Sequence, residues 1–277
     1  VRAMNRHRPA AVLGMGGFVS GPGGLAAWLT RRPLLIHEQN AVAGLTNRLL
    51  ARLARVVLQA FPGSFPARIK CETVGNPVRP DIAALPRPSQ RYDERSGPLR
   101  LLVLGGSQGA LALNRAVPAA LAQLAKVPRP LVRHQTGDRT FDAASEAYRR
   151  CGVDAELLPY IENMAETYAW ADLVICRAGA LTVAELAAAG LPAIFIPFPA
   201  AVDDHQTANA QAMVSTGAAT IIAEKDLDDC TLAAVLDDWL SGRDALRARA
   251  EAARRLAAPD ALRRITETCL ALAGGRT

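Results

Sequence analysis

Three times in this chain a short apolar run leads straight into a glycine-bearing turn and then a helical pattern, and this repeated unit constrains the fold most. The turns begin at Gly14, Gly105 and Arg177, after runs at residues 10–13, 99–104 and 173–176. A strand that feeds a helix in this way returns beside itself by a crossover, so the unit belongs to parallel sheets covered by helices. Around the first turn, strands are expected at 10–13, 34–37 and 56–60, with helices at 21–29 and 45–55 between them. From residue 99, six strands begin at 99–104 and lie near Leu131, Glu156, Leu173, Ala193 and Thr220. They alternate with helices from Ala110 and at 140–150, 162–170, 181–189 and 205–216, which completes a doubly wound sheet. Helices at 231–239, 244–256 and 260–272 close the chain.

Between these alternating regions the pattern dissolves. Residues 61–98 carry Pro62, Pro66, Pro77, Pro80, Pro86, Pro88 and Pro98, too many for a long helix or a central strand. The expected division is a first domain at 1–80, a linker at 81–98, a second domain at 99–256 and a returning helix at 257–277. Three strands are few for a parallel sheet that must be covered on both faces. Val1 also opens on what reads as the tail of a helix, so the first domain is expected to be incomplete.

At 277 residues, half hydrophobic and 21% charged, the composition excludes a disordered chain. The richest apolar stretch, 181–198, holds Glu185, Gly190 and two prolines, so no membrane span is expected, and residues 1–9 lack a signal peptide's apolar core. The five cysteines have no Cys-x-x-Cys spacing and the four histidines no metal-ligand spacing, which points to neither a disulfide framework nor a zinc site.

Charge is unevenly placed. Residues 1–80 hold eleven Lys/Arg against Glu38 and Glu72, a balance of +9 within a whole-chain charge of +6. The first domain therefore suits an anionic partner. Its aromatics do not interleave with its arginines as a base-stacking groove requires, so nucleic acid is not expected. A phosphate ligand or an acidic membrane surface fits better, and a solvated basic face is the plain alternative.

The glycine turns invite phosphate chemistry, because glycine lets backbone N–H groups approach phosphate oxygens and a following helix presents its positive end. The first runs from Gly14 through Gly16 and Gly17 to Gly24, the second is Gly105-Gly106-Ser107-Gln108-Gly109, and neither matches a dinucleotide fingerprint or a Walker loop. After Arg177, the amides of Ala180, Leu181 and Thr182 open a helix. Glu185 could accept from a ribose diol there, or Thr182 and Glu185 could form a capping box. Polar clusters at residues 37–40 and 203–209 end apolar runs, where ligand crevices of such sheets lie.

These motifs, with Gly44-Leu45-Thr46-Asn47 and Gly75-Asn76-Pro77-Val78-Arg79, closely resemble those of the MurG family, in order along essentially the whole chain. Its members are bacterial undecaprenyl-diphospho-muramoylpentapeptide N-acetylglucosaminyltransferases. The resemblance implies a GT-B fold of two Rossmann-like doubly wound α/β domains facing a cleft, the first truncated here. It implies transfer of N-acetylglucosamine from UDP-N-acetylglucosamine to lipid I, with inversion, at the cytoplasmic face of the bacterial inner membrane, by a peripheral protein that needs no cofactor and no metal. By the same resemblance the Ile161 backbone reads uracil, Glu185 the ribose, and Ala180, Leu181, Thr182 and Val183 with Ser107 the diphosphate region. Asn40 and Arg79 reach the donor, His205 and Gln206 the sugar hydroxyls, and Gly14, Gly16 and Gly17 face the acceptor.

The family also carries an earlier β-α unit with a Gly-Gly-Thr-Gly-Gly-His type loop, which this sequence lacks. The catalytic base is thus unassigned, with His37 and Glu38 as weak candidates, and the chain is expected to be a fragment that transfers slowly or not at all. The competing readings are a nicotinamide dehydrogenase, a non-catalytic UDP-sugar-binding module and a GT-B relative such as a UDP-N-acetylglucosamine epimerase.

Overall fold

A computed structural model describes residues 1–106, 108–124, 128–199 and 204–275. In chain order the first elements are α1 (Arg2–His7), β1 (Val12–Gly14), α2 (Gly17–Leu29), β2 (Leu34–Glu38), α3 (Leu45–Leu50), β3 (Val56–Gln59) and β4 (Glu72–Thr73). Two short helices follow, α4 (Pro80–Ala83) and α5 (Pro88–Asp93). Then come β5 (Arg100–Leu104), α6 (Leu111–Ala122), β6 (Leu131–Gln135), α7 (Phe141–Cys151), β7 (Glu156–Leu158), α8 (Met164–Trp170) and β8 (Leu173–Cys176). The remainder is α9 (Ala180–Ala189), β9 (Ala193–Phe195), α10 (His205–Val214), β10 (Ala219–Ile221), α11 (Asp229–Trp239), α12 (Arg243–Arg254) and α13 (Ala261–Ala273). The chain divides into two compact units, residues 1–78 with 258–277 and residues 79–257.

The first unit holds a parallel sheet of order β1-β2-β3-β4. Every residue of β2 is buried, as a strand covered on both faces requires. Alternate side chains serve the two faces: Leu34 and Ile36 pack with Ala27 and Leu50 of α2 and α3, while Leu35 and Leu58 pack with Ile265 and Leu272 of α13. The second cover that so small a sheet needs thus comes from the end of the chain. β4 was not legible because it is two exposed residues long and apolar at neither.

The first glycine run is a turn only as far as Gly16; the rest is helix, which corrects the expected start at residue 21. Its glycines serve packing as well as turning. A Cβ on Gly24 would lie 2.7 Å from Leu50 Cδ1, so the two helices approach where a side chain would not fit.

The second unit is built on a six-stranded parallel sheet of order β10-β9-β8-β5-β6-β7. Leu101, Val103, Leu173, Ile175 and Ile194 build its core with Leu113, Val117 and Leu121 of α6 and Leu232 and Leu236 of α11. The chain runs outward from β5 through β6 and β7, returns to the other side of β5 as β8, and runs outward again. The order therefore reverses between β5 and β8, and ligands of such sheets bind beyond the carboxyl ends at that point.

Residues 81–98 are not a free linker. Pro80 and Pro88 occupy the first turns of α4 and α5, where a missing N–H costs nothing, instead of breaking the chain. The segment is anchored in the second unit: Arg91 donates to Gly190 O at 2.7 Å, Tyr92 donates to Asp172 O at 2.9 Å, and Arg95 pairs with the buried Asp172 carboxylate.

Candidate nucleotide-sugar site

Because β5 and β8 are in register with Leu104 opposite Cys176, the turns that follow them leave the sheet side by side at the switch point. In the second glycine turn, packing explains two of the glycines. A Cβ on Gly105 would stand 2.8 Å from Gln135 O, and one on Gly109 would stand 2.4 Å from Thr136 O, so both are fixed by the neighbouring backbone. Gly106, at φ +78, has open space where its Cβ would be. Ser107 and Asp203 lie outside the described residues.

The turn after β8 is held from α10. The Gln206 side-chain oxygen accepts from Ala178 N at 3.2 Å and from Phe198 N at 2.9 Å, and Asn209 donates to Ala178 O at 3.2 Å. Two residues three apart on one helix face thus grip the N–H and the C=O of one residue. Gln206, expected at the sugar, has its oxygen committed to this turn. Asn209 was overlooked, although the polar run at 203–209 contained it. Arg177 pairs with Glu224, donates to Ile196 O at 2.9 Å and covers the Phe198 ring at 5.4 Å. His205 opens α10, and its Nδ1 is buried without a hydrogen-bond partner among the described residues.

The helix α9 starts immediately after that turn. Gly179 is its N-cap and no side chain caps it, so the capping box open to Thr182 and Glu185 does not form. The first-turn N–H groups of Leu181 and Thr182 have no intrahelical acceptor and carry the positive end of the helix dipole. Val183 is buried and anchors the turn, whereas Leu181 is half exposed. Glu185 lies three residues beyond Thr182, on the same side of the helix and about 4.5 Å further along its axis.

Around Glu185 the structure gathers two partners. Tyr168 of α8, fully buried, donates from its hydroxyl to Glu185 Oε2 at 3.1 Å. Arg79 Nε stands 3.7 Å from Oε1. Burial raises the Glu185 carboxyl above its ordinary value, the Tyr168 hydrogen bond and the Arg79 charge pull it down, and Asp81 adds to the rise. Ile161 is buried in the loop before α8, whose N-cap Asn163 accepts from Glu166 N at 3.1 Å. Tyr168 was not singled out from the sequence, since a tyrosine in an amphipathic helix carries no signal beyond core packing.

The first unit gives its motifs a different character. Glu38 is buried, and its carboxylate accepts from Asn40 N at 2.9 Å, Asn40 Nδ2 at 3.2 Å, Gly44 N at 3.2 Å and Asn47 Nδ2 at 2.8 Å. His37 is fully buried and donates from Nε2 to Gly75 O at 3.0 Å, with burial lowering its pKa. Burial tells against both weak base candidates: the Glu38 carboxylate is spent on the chain, and His37 is fully buried and held through Nε2, its Nδ1 having no hydrogen-bond partner among the described residues. Asn76 Nδ2 donates to Gln39 O at 2.9 Å, so the motifs at 37–40 and 75–79 are one clasp. Asn40 belongs to that clasp. Gly14, Gly16 and Gly17 lead into α2, with Gly16 at φ +84 and Gly17 at φ +73.

Comparison with known proteins agrees in both units. The glycosyltransferase family 28 C-terminal domain matches residues 100–265, and the family's N-terminal domain matches residues 1–59. The chain is 58% identical over 267 residues to the UDP-N-acetylglucosamine–N-acetylmuramyl-(pentapeptide) pyrophosphoryl-undecaprenol N-acetylglucosamine transferase of Alkalilimnicola ehrlichii, covering 96% of this chain and 74% of that one. The crystal structure of Acinetobacter baumannii MurG superposes with a TM-score of 0.88 at 42% identity, covering 97% of this chain and 75% of that one. A UDP-GlcNAc 2-epimerase from Neisseria meningitidis superposes at 0.66 with 12% identity, covering 97% and 78%, a likeness of fold alone.

Proposed function

This chain belongs to glycosyltransferase family 28, and we propose that it transfers N-acetylglucosamine from UDP-N-acetylglucosamine to the C4 hydroxyl of the muramoyl sugar of lipid I, forming lipid II for peptidoglycan. Its two parallel α/β units are of the GT-B type. The observation that carries the reading is 58% identity, across 96% of this chain and 74% of the relative, to a protein named for this reaction, and the uncapped start of α9 with Glu185 at the switch point of the second sheet supports it.

In this reading the donor lies over α9. The amides of Leu181 and Thr182, beside Ala180 and Val183, face the diphosphate, Glu185 accepts from the ribose hydroxyls, and the Ile161 backbone meets the uracil edge. Gln206 and His205 serve the sugar, and Arg79 completes the donor's surroundings in this unit. The C4 hydroxyl oxygen forms its bond to C1 of the donor sugar as the bond from C1 to the diphosphate oxygen breaks. The electron pair leaves with UDP, the hydroxyl proton is released, and C1 inverts. Helix amides and Arg79 stabilise the charge that grows on the leaving diphosphate.

The first unit supplies a membrane surface. α2 contains no charged residue and exposes Phe18, Val19, Leu25, Trp28 and Leu29. Leu45 and Leu49 of α3 are exposed beside a groove of about 270 Å³ that also carries Arg48, Arg52 and Arg68. An uncovered apolar face rimmed by arginines suits peripheral binding to an anionic bilayer, where lipid I resides. None of the described helices is long and apolar enough to cross a membrane. This reading places the chain on the cytoplasmic face of the inner membrane.

The test is incubation with radiolabelled UDP-N-acetylglucosamine, with and without lipid I. Label entering the lipid fraction only when lipid I is present supports the transfer. Conversion of the donor sugar without acceptor would instead favour the epimerase reading that the fold likeness leaves open.

A further inference from the structure

We propose that Tyr168 is a positioning residue for the nucleotide, setting the orientation and charge of the carboxylate that holds the ribose. The proposal rests on the reading of Glu185 as the ribose ligand. A glutamate side chain has three rotatable bonds, and Glu185 rises from α9 into a partly buried site where its carboxylate is costly to leave unpaired. The Tyr168 hydroxyl, 3.1 Å from Oε2, is the fixed donor there: its ring is 1% exposed and cannot swing away. Arg79, the other partner, is half exposed and meets only Oε1, at 3.7 Å. The division of labour follows from those two contacts. Oε2 is held by a buried, neutral donor, and Oε1 is left toward the half-exposed cation, where a diol would meet it.

The hydrogen bond also favours the ionised carboxylate against the burial that opposes it, and the ionised form is the better acceptor for two hydroxyls. Nothing else in the described surroundings of Tyr168 uses its hydroxyl. Its packing alone would be met by phenylalanine, so the oxygen itself calls for an explanation. α8 thereby links two parts of the nucleotide site: the loop before it carries Ile161, and its interior carries the group that aims Glu185.

The test compares binding of UDP and of 2′,3′-dideoxy-UDP, by calorimetry, to the full chain and to Tyr168→Phe, Glu185→Gln and the double variant. Tyr168→Phe is expected to weaken UDP about two- to tenfold, the span of one hydrogen bond, and to leave the dideoxy analogue unchanged. In steady state the same variant is expected to raise KM for UDP-N-acetylglucosamine with kcat little altered. The double variant should bind UDP no more weakly than Glu185→Gln alone, since the tyrosine acts only through the glutamate. Equal loss for both nucleotides would assign Tyr168 a purely structural role and overturn the proposal. Loss in Glu185→Gln without loss in Tyr168→Phe would overturn it while keeping the ribose reading. Unchanged UDP binding in Glu185→Gln would overturn both.

Discussion

Arg79 Nε and Glu185 Oε1 lie 3.7 Å apart, so the residue that opens the second unit faces the carboxylate carried by α9. Arg79 is half exposed, and the pair contributes less than about 1 kcal/mol to stability. Its consequence is for ionisation. In the proposed reading Glu185 accepts from the ribose diol, best as a carboxylate; burial raises its pKa, and Arg79 opposes that rise. Donor affinity should therefore be level near neutrality and fall on acidification, starting above the ordinary carboxylate range. Arg79→Met removes the opposing charge, so the acid limb should move to higher pH while the Tyr168 and Asp81 influences remain. A binding titration across pH measures it. An acid limb in the same place for both proteins would remove Arg79 from this role.

Gly75 sits at φ +85, and a Cβ there would lie 2.2 Å from Ala258 Cβ. Gly75→Ala combines a left-handed backbone penalty with overpacking, together about 2–4 kcal/mol against the first unit. Urea unfolding followed by circular dichroism should show a lower midpoint, and an unchanged midpoint would contradict the packing described.

The exposed face of α2 should mediate binding to bilayers. Phe18, 92% exposed, and Trp28, 50% exposed, contribute little to the folded core, so Phe18→Ser with Trp28→Ser should leave stability nearly untouched. Co-sedimentation with vesicles containing anionic phospholipid should fall in the double variant, and binding by the parent should weaken as salt rises. Equal sedimentation of parent and variant would place the membrane contact elsewhere.

Much of this was legible from periodicity. The six strands of the second sheet emerge within a few residues of their expected places because buried parallel strands read as uninterrupted apolar runs. Residues 81–98 misled because prolines at the first turn of a helix look, in sequence, like prolines that forbid one. The first glycine run misled for a related reason: Gly24 is required by Leu50, a contact far along the chain that no local pattern carries. At the candidate site, the start of α9 after the turn at Arg177 and the place of Glu185 on that helix were readable from spacing. Tyr168 and the Gln206 and Asn209 grip on Ala178 were not, because each depends on which helix the fold places beside which turn. His37 and Glu38 show the converse, polar residues at a strand end that the fold uses as internal braces.

The central claim is that the second unit holds a UDP-sugar through α9, and Glu185→Ala tests it most directly. Calorimetric titration with UDP-N-acetylglucosamine should show saturable binding by the parent. The variant should be weakened about ten- to a hundredfold, the span of hydrogen bonds to a charged acceptor. Equal affinity in the two folded proteins would contradict the account.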